Sequence, residues 1–291
     1  MLHHSCLLCN STHIKTLPSY GSSNLVRCAD CRFVFSQRKP SEIELLEYYK
    51  KYPVTTACQS TITIKRYNEL LDTFEKFRKH NNIIDIGCGE GYFLEAAKKR
   101  NWNVYGTEIS DVKVSICKEK GIRILQGRLN PASYQKEFFD VIRSSEVIEH
   151  INYPVEEITN FQTLLRRGGA LYLTTPNFGS LSRMLLGEKW SVIEYPEHLC
   201  YYTPQTMSFL LGRAGLRPIS IRTTGLSVTR LRTGIKGDNK IPSRKDSIIN
   251  DEKLRELSEN KILLRMARYA VNLLLTSCTL GDTIKIMAVK V

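Results

Sequence analysis

This chain has no stretch approaching the roughly 18 uninterrupted apolar residues of a membrane-spanning helix, so no such span is expected. Met1 to Asn10 has no basic start leading into a long apolar run, which argues against a secretory signal and makes the cytoplasm the expected compartment. There is no internal repeat and no long low-complexity tract, so a solenoid is not expected either. Acid is in short supply: 29 Asp and Glu face 42 Lys and Arg, a net charge of +13. That balance favours anionic partners, whether nucleic acid, acidic membrane or phosphorylated small molecules, and does not choose among them. What remains is ordinary globular material, 291 residues with 42% hydrophobic and 24% charged. It is enough for one core domain and an appended module.

The nine cysteines are unevenly spread. Cys6 and Cys9 form one C-x2-C pair and Cys28 and Cys31 a second. Two such pairs bring four thiolates within tetrahedral reach of one Zn2+, and a closed sulfur shell leaves no open position for chemistry, so the expected zinc is structural. A segment this short cannot fold on apolar burial alone, and structural zinc supplies on the order of 10–16 kcal/mol. His3, His4 and His13 lie nearby, but four cysteines suffice. Cys58, Cys88, Cys117, Cys200 and Cys278 are scattered and read as small buried hydrophobes.

Four regions follow in order: a zinc-binding ribbon over residues 1–40, a helical linker or lid over 41–80, a catalytic-type core over 81–291, and within it a basic insertion over 225–280 before the last strand. The linker reads as helices at Glu42 to Lys50 and Thr63 to Lys79. Beyond Asn82, β-rich runs alternate with amphipathic stretches. The runs are Ile83 to Ile86, Val104 to Glu108, Arg123 to Leu125, Phe139 to Ile142, Ala170 to Thr175, Pro218 to Arg222 and, after the insertion, Thr283 to Lys290. Helical stretches fall at Tyr92 to Arg100, Lys113 to Lys120, Val155 to Arg166 and Pro204 to Ala214. Alternation of this kind predicts an α/β fold, a doubly wound, seven-stranded, mostly parallel sheet covered on both faces.

The run Asn82-Ile-Ile-Asp-Ile-Gly-Cys-Gly-Glu-Gly-Tyr92 ends a buried strand and opens a helix. Its glycines allow a tight turn and close approach of a ligand. A dinucleotide fingerprint would place its third glycine one residue later. Glu90 inside the loop would repel a pyrophosphate, which favours a ligand with a positive centre.

Here the sequence resembles the class I S-adenosylmethionine-dependent methyltransferases, whose Rossmann-like first motif is similar to Asp85-Ile-Gly-Cys-Gly-Glu-Gly91. Phe139-Asp140-Val-Ile with Ser145-Glu-Val-Ile-Glu-His150 resembles the fourth motif, and Leu165-Arg-Arg-Gly-Gly-Ala-Leu-Tyr-Leu-Thr-Thr-Pro176 the turn into the fifth strand. The resemblance covers about Asn82 to Thr224. It implies S-adenosylmethionine as cofactor, held by Asp85, Gly87, Cys88, Gly89, Gly91, Glu108, Ile109 and Ser144, with Glu108 accepting hydrogen bonds from the ribose hydroxyls, a task that suits a carboxylate. Gln126-Gly127-Arg128 departs from the pattern, since the family often places an acidic residue there against the adenine.

Methyl transfer requires alignment of the acceptor and, for a hydroxyl, removal of its proton. His150 follows the fourth strand, at the edge where ligands sit in open α/β sheets. His198 lies in Glu194-Tyr-Pro-Glu-His-Leu-Cys-Tyr-Tyr-Thr-Pro204, beside Glu197, ahead of a helix that Thr203 is placed to cap. The arrangement resembles that of sugar-modifying methyltransferases, including sugar C-methyltransferases that begin with a similar zinc module, and resembles in length the zinc-ribbon methyltransferases of polysaccharide clusters; this implies Tyr195, Glu197, His198 and His150 as catalytic positions, acting on a hydroxyl or an acidic carbon. The expected acceptor is therefore a small molecule, a sugar or sugar nucleotide. Two other readings stay open: an RNA methyltransferase using the ribbon and basic charge, and a catalytically silent binding module. The chain lacks the Asn/Asp-Pro-Pro-aromatic run of base-amine enzymes, having Ser144-Ser145-Glu146 instead, so no specific nucleic acid is expected. Intact Gly87, Gly89, Gly91 and Glu108 speak against a silent module. Trp190 and Tyr201 read as core more than as pocket lining, and Glu146 and Glu149 as residues solvating a helix start. Arg222, Arg230, Arg232, Lys236, Lys240, Arg244 and Lys245 read as a solvated basic loop. The segment Lys261 to Thr276 reads as a basic amphipathic helix, packed on the sheet or on a second copy, with docking on anionic membrane as the alternative.

Overall fold

The computed structural model describes residues 1–41, 43–45, 48, 60–227, 231 and 262–291. In chain order its strands are β1 (Ile14–Thr16), β2 (Leu25–Cys28), β3 (Val34–Ser36), β4 (Asn82–Ile86), β5 (Asn103–Glu108), β6 (Arg123–Gln126), β7 (Phe139–Ser145), β8 (Leu165–Pro176), β9 (Cys200–Tyr201), β10 (Leu216–Thr224) and β11 (Thr283–Lys290). The helices are α1 (Thr61–Glu75), α2 (Tyr92–Lys99), α3 (Asp111–Glu119), α4 (Pro154–Leu164), α5 (Leu181–Leu186), α6 (Pro204–Arg213) and α7 (Ile262–Ser277). None of the described helices is long and apolar enough to cross a membrane.

The chain divides into two compact units, neither continuous in sequence. One comprises Met1–Lys39, Thr175–Met207 and Ile221–Lys285, the other Pro40–Thr174, Ser208–Ser220 and Ile286–Val291. The seven expected core strands form one sheet in the order β10-β11-β8-β7-β4-β5-β6. Four of its six pairings, β7 with β8, β4 with β7, β4 with β5 and β5 with β6, are parallel. The fold is α/β with a seven-stranded, mostly parallel sheet.

In the second unit β4 is buried along its whole length, as a central strand covered on both faces must be, and this accounts for its unbroken apolar run around one aspartate. Ser60 starts α1 by accepting a hydrogen bond from the Thr63 amide at 3.3 Å. Leu71 and Phe74 of α1 enter a core with Ile83, Phe93, Leu94, Val104, Val141 and Ala170. The helix stops at Glu75, short of the expected Lys79, because the Lys79 and His80 amides turn to donate to the buried Asp140 carboxylate at 3.0 and 2.7 Å. Arg166 Nε donates to the same carboxylate at 2.6 Å. Asp140, quoted above within a motif, is thus a structural clamp. Of the Glu42 to Lys50 helix, residues 43–45 and 48 are helical and the others lie outside the described residues.

The first unit holds a second sheet, of order β1-β2-β3-β9, with every pairing antiparallel. Val34 pairs with Tyr201 and Phe35 with Cys200, so the cysteine segment shares a sheet with residues far downstream. The sequence pattern assigns no strand or helix to 177–203. The structure places α5 and β9 there, with Trp190 and Tyr201 in a core alongside Leu25, Val34, Phe178 and Leu186. Thr203 does cap α6, accepting from the Thr206 amide at 3.3 Å. The expected amphipathic helix is α7, on which Met266, Tyr269, Leu273 and Leu274 are exposed and Leu275 is buried. Arg230, Arg232, Lys236, Lys240, Arg244, Lys245 and Lys261 lie outside the described residues.

Candidate active site

The carboxyl edge of β4 and β5 brings most of the expected cofactor residues together. Gly87, Gly89 and Gly91 all have positive φ, at +68, +59 and +74°, conformations that glycine adopts without steric cost. Glu108 closes the arrangement from β5. One carboxylate oxygen accepts from the Gly89 amide at 2.9 Å, and the other from the Ile109 and Ser110 amides, each at 2.9 Å. A carboxylate has about four lone-pair sites, so three backbone donors leave it acceptor capacity for a ligand. A Cβ on Gly89 would meet nothing within 4 Å, and Ile109 beside it is an exposed apolar side chain. Ser144, at the carboxyl end of β7, is 1% exposed, and its Oγ has no hydrogen-bond partner among the described residues. Open space over a glycine, a ribose-type acceptor, an apolar face and an unsatisfied hydroxyl fit an adenosyl ligand. Glu90, inside the loop, is buried, and Gln126 Nε2 donates to Asp111.

Asp85 sits beneath the loop, fully buried, where Arg143 Nη1 donates to both of its oxygens at 2.7 and 2.6 Å. Burial raises the Asp85 carboxyl and Arg143 opposes the rise; the carboxylate in turn holds the guanidinium charged against its own burial. The Arg143 guanidinium also lies 4.6 Å from the Phe93 ring centroid. Asp85 therefore orders the underside of the site through Arg143, a partner that sequence reading did not name.

After β7 the chain turns sharply at Glu146, whose φ is +55°. Its amide donates to the Thr174 carbonyl at 2.9 Å, and its carboxylate accepts from the Thr174 hydroxyl at 2.8 Å. His150 follows, half-buried in a short 3-10 turn. Glu149 is buried, which corrects its expected role in solvating a helix start.

Tyr195, Glu197 and His198 belong to the first unit. Glu197 and His198 are buried and Tyr195 half-buried, with the Arg38 guanidinium 5.0 Å over its ring. His198 Nδ1 lies 2.5 Å from the Val192 carbonyl oxygen. A carbonyl only accepts, so Nδ1 carries the proton and Nε2 is the basic nitrogen. Tyr201 anchors the same turn, its hydroxyl donating to the His198 carbonyl at 3.0 Å.

The four expected ligand cysteines do converge. Cys6, Cys9, Cys28 and Cys31 have sulfurs within 4.8 Å of one another, with Cys6 to Cys31 at 3.4 Å and Cys9 to Cys28 at 3.5 Å. Four sulfurs each about 2.3 Å from a tetrahedral zinc would stand roughly 3.8 Å apart, so the cluster needs little adjustment to hold one. The Leu8 and Cys31 amides point at Cys6 and Cys28 sulfurs from 3.4 and 3.5 Å. His3, His4 and His13 are not part of the cluster. Cys117 and Cys200 are buried as expected, Cys278 is exposed, and Cys58 lies outside the described residues.

Solved structures share this architecture. A SAM dependent methyltransferase from Archaeoglobus fulgidus aligns with 86% of this chain and 100% of its own at a TM-score of 0.51 and 17% identity. A geranyl diphosphate methyltransferase in complex with GPP and sinefungin aligns with 78% of each chain at 0.51 and 14%. The fold is therefore that of a class I S-adenosylmethionine-dependent methyltransferase. A family model described as a methyltransferase domain matches residues 61–221, more than half of the chain, and the chain belongs to that family. Similar curated proteins include the ubiquinone biosynthesis O-methyltransferases of Aeromonas salmonicida, 25% identical over 147 residues, and Stutzerimonas stutzeri, 31% identical over 102. The alignments cover 46% and 33% of this chain and span 62% and 44% of those relatives' lengths.

Proposed function

We propose that the chain transfers a methyl group from S-adenosylmethionine to a hydroxyl oxygen of a small-molecule acceptor. The observation that carries this reading is the Glu108 carboxylate, tied to the Gly89 amide and poised over open space with acceptor capacity to spare. The cofactor, when bound, supplies an electrophilic methyl group on a sulfonium centre. Around it Glu108 would receive the ribose hydroxyls, Ile109 would cover an apolar ring, and the glycine loop, free of side chains, would let the remainder approach the backbone. His198 is the proposed base: its Nδ1–H is fixed on Val192, so Nε2 takes the acceptor proton, with Glu197 and Tyr195 as its supporting residues and His150 as the competing base. The oxygen chemistry named for the curated relatives supports a hydroxyl acceptor; the resemblance to sugar C-methyltransferases supports an acidic carbon of a sugar as the alternative. We place sugars and sugar nucleotides first in that class. The cysteine cluster is the proposed site of one structural Zn2+.

Two measurements test the proposal. Calorimetric titration with S-adenosylmethionine and with its demethylated product should show saturable binding, and no binding of either by folded protein would end it. Methyl transfer should then be screened over sugar nucleotides and phenolic compounds, with His198→Ala and His150→Ala compared on the best acceptor. Removing the true base should cost roughly 10²–10⁴-fold in turnover and leave cofactor affinity unchanged.

A further inference from the structure

Two thiols beneath the glycine loop stand close enough to react with each other. Cys88 lies in the loop between Gly87 and Gly89, Cys117 lies on α3, and their sulfurs are 3.8 Å apart. Both reach the same backbone oxygen, Cys117 donating to the Gly89 carbonyl at 3.3 Å and Cys88 at 3.8 Å. Each sulfur sits in a notch that a missing side chain provides. A Cβ on Gly91 would come within 2.9 Å of the Cys117 sulfur, and one on Gly106 within 2.9 Å of the Cys88 sulfur. Cys117 is fully buried, Cys88 half-buried. A disulfide needs the sulfurs at about 2.05 Å, and the flanking glycines are the residues best able to supply that movement. Methyl transfer makes no use of either thiol.

We propose that Cys88 and Cys117 form an oxidant-sensitive modification site, a dithiol that a peroxide converts to a disulfide, drawing the loop out of its cofactor-binding shape. The effect on binding rests on the reading that this loop holds S-adenosylmethionine; the disulfide itself does not. The thiolate of the pair attacks one peroxide oxygen, the O–O bond breaks, and the departing hydroxide takes up a proton to become water, leaving a sulfenic acid. The second thiol then attacks that sulfur, the S–O bond breaks and a second water leaves with the thiol proton. Two thiols are oxidised by two electrons and one peroxide is reduced. The hydrogen bond from Cys88 lowers the Cys117 thiol, with burial opposing it, so Cys117 is the sulfur assigned to the first attack. Moving Cys88 toward α3 shifts Gly89, whose amide is bonded to Glu108. Cofactor affinity is thereby coupled to the oxidation state.

The test treats the whole zinc-loaded chain with one to a few equivalents of hydrogen peroxide. Linked peptides are mapped by mass spectrometry without reduction, and S-adenosylmethionine is titrated before oxidation, after it, and after dithiothreitol. The expected result is a Cys88–Cys117 peptide, affinity weakened by about tenfold or more, and recovery on reduction. Cys117→Ser should keep its affinity through the same treatment, and Cys117→Ala replaces it if the serine variant folds poorly. Because both variants retain every other cysteine, the zinc cysteines included, an equal loss in wild type and variant would place the effect outside this pair and overturn the proposal. Absence of the linked peptide, or a linked protein that binds as tightly as the reduced one, would also overturn it. If reduced wild type does not bind the cofactor at all, the functional reading falls, while the peptide map still decides the dithiol chemistry.

Discussion

Glu108 serves two masters with one carboxylate, holding the glycine loop to β5 and the start of α3 while facing the ligand side of the sheet. Hydrogen bonds to charged groups contribute about 1.5–3 kcal/mol each, so Glu108→Ala should weaken S-adenosylmethionine binding by roughly 10–100-fold in a calorimetric titration. Glu108→Gln, which keeps one acceptor oxygen, should fall between. The glycines separate folding from binding. Any side chain at these positive φ values costs about 1–2 kcal/mol. At Gly89 that is the whole cost, since the added Cβ meets nothing within 4 Å. At Gly91 it would come 2.5 Å from Ile122 Cδ1, adding overpacking of roughly 1–3 kcal/mol. Gly91→Ala should therefore lower Tm more than Gly89→Ala, whereas Gly89→Ala should lose more cofactor affinity than its Tm explains; the reverse order would remove the ligand from the space over Gly89. These residues are legible in the sequence because the loop and Glu108 follow each other across one strand-helix-strand unit. The Asp85–Arg143 pair and the Cys88–Cys117 pair were not, because register between β4 and β7, and the seating of α3, are set only when the sheet assembles.

Among elements, β4 and β7 were readable because a buried parallel strand leaves an unbroken apolar run, and β11 because its side chains alternate. The two-residue β9 was not, since so short a pairing has no periodicity of its own and exists through Val34 and Phe35. That pairing has a consequence for the cysteine cluster: β2 and β3, which flank Cys28 and Cys31, are continuous by hydrogen bonds with the segment that carries His198. The Ser36 amide donates to the Leu199 carbonyl at 2.8 Å. Stripping the proposed zinc with a chelator, or by Cys6→Ser with Cys9→Ser, should speed amide exchange at Cys200 and Tyr201 as well as at the cysteines. Unchanged exchange there would separate the cluster from the histidine segment. The start of α4 offers a pH signature. Burial pushes the Glu157 carboxyl up from 4.5 to about 7, with the Arg128 charge working against the rise. The folded chain then keeps a proton that the unfolded chain releases, so this contribution is fully present below pH 4.5 and is lost as pH rises through about 7. Glu157→Gln should flatten that part of the stability curve, gaining on wild type at pH 8 relative to pH 5 in urea melts. An identical pH dependence in both proteins would show that Glu157 ionises normally.

At the scale of the molecule, the boundaries between the compact units fall after Lys39 and inside β8, α6, β10 and β11, so neither unit is a segment that can be cut out of the chain. The sequence reads as ribbon, linker and core in succession, because composition changes along the chain while compactness does not follow chain order. The last strand makes the point testable. β11 lies between β10 and β8 in the sheet, and Ile284, Ile286, Met287 and Ala288 on it are buried. Burying each large apolar side chain contributes about 1.5–3 kcal/mol, so three of them account for a large share of the roughly 5–15 kcal/mol that holds a domain folded. Loss of the strand also strips backbone partners from both neighbours. A chain ending at Asp282 should therefore fail to melt cooperatively by circular dichroism and should not bind S-adenosylmethionine, although it retains every proposed cofactor, catalytic and zinc-binding residue. Lys290→Met keeps the strand and the buried aliphatic stem and loses the 3.1 Å ion pair with the half-exposed Glu137, so it should still melt cooperatively and bind normally. If the truncated chain instead melts cooperatively and binds the cofactor, β11 is dispensable and the sheet is complete without its final strand.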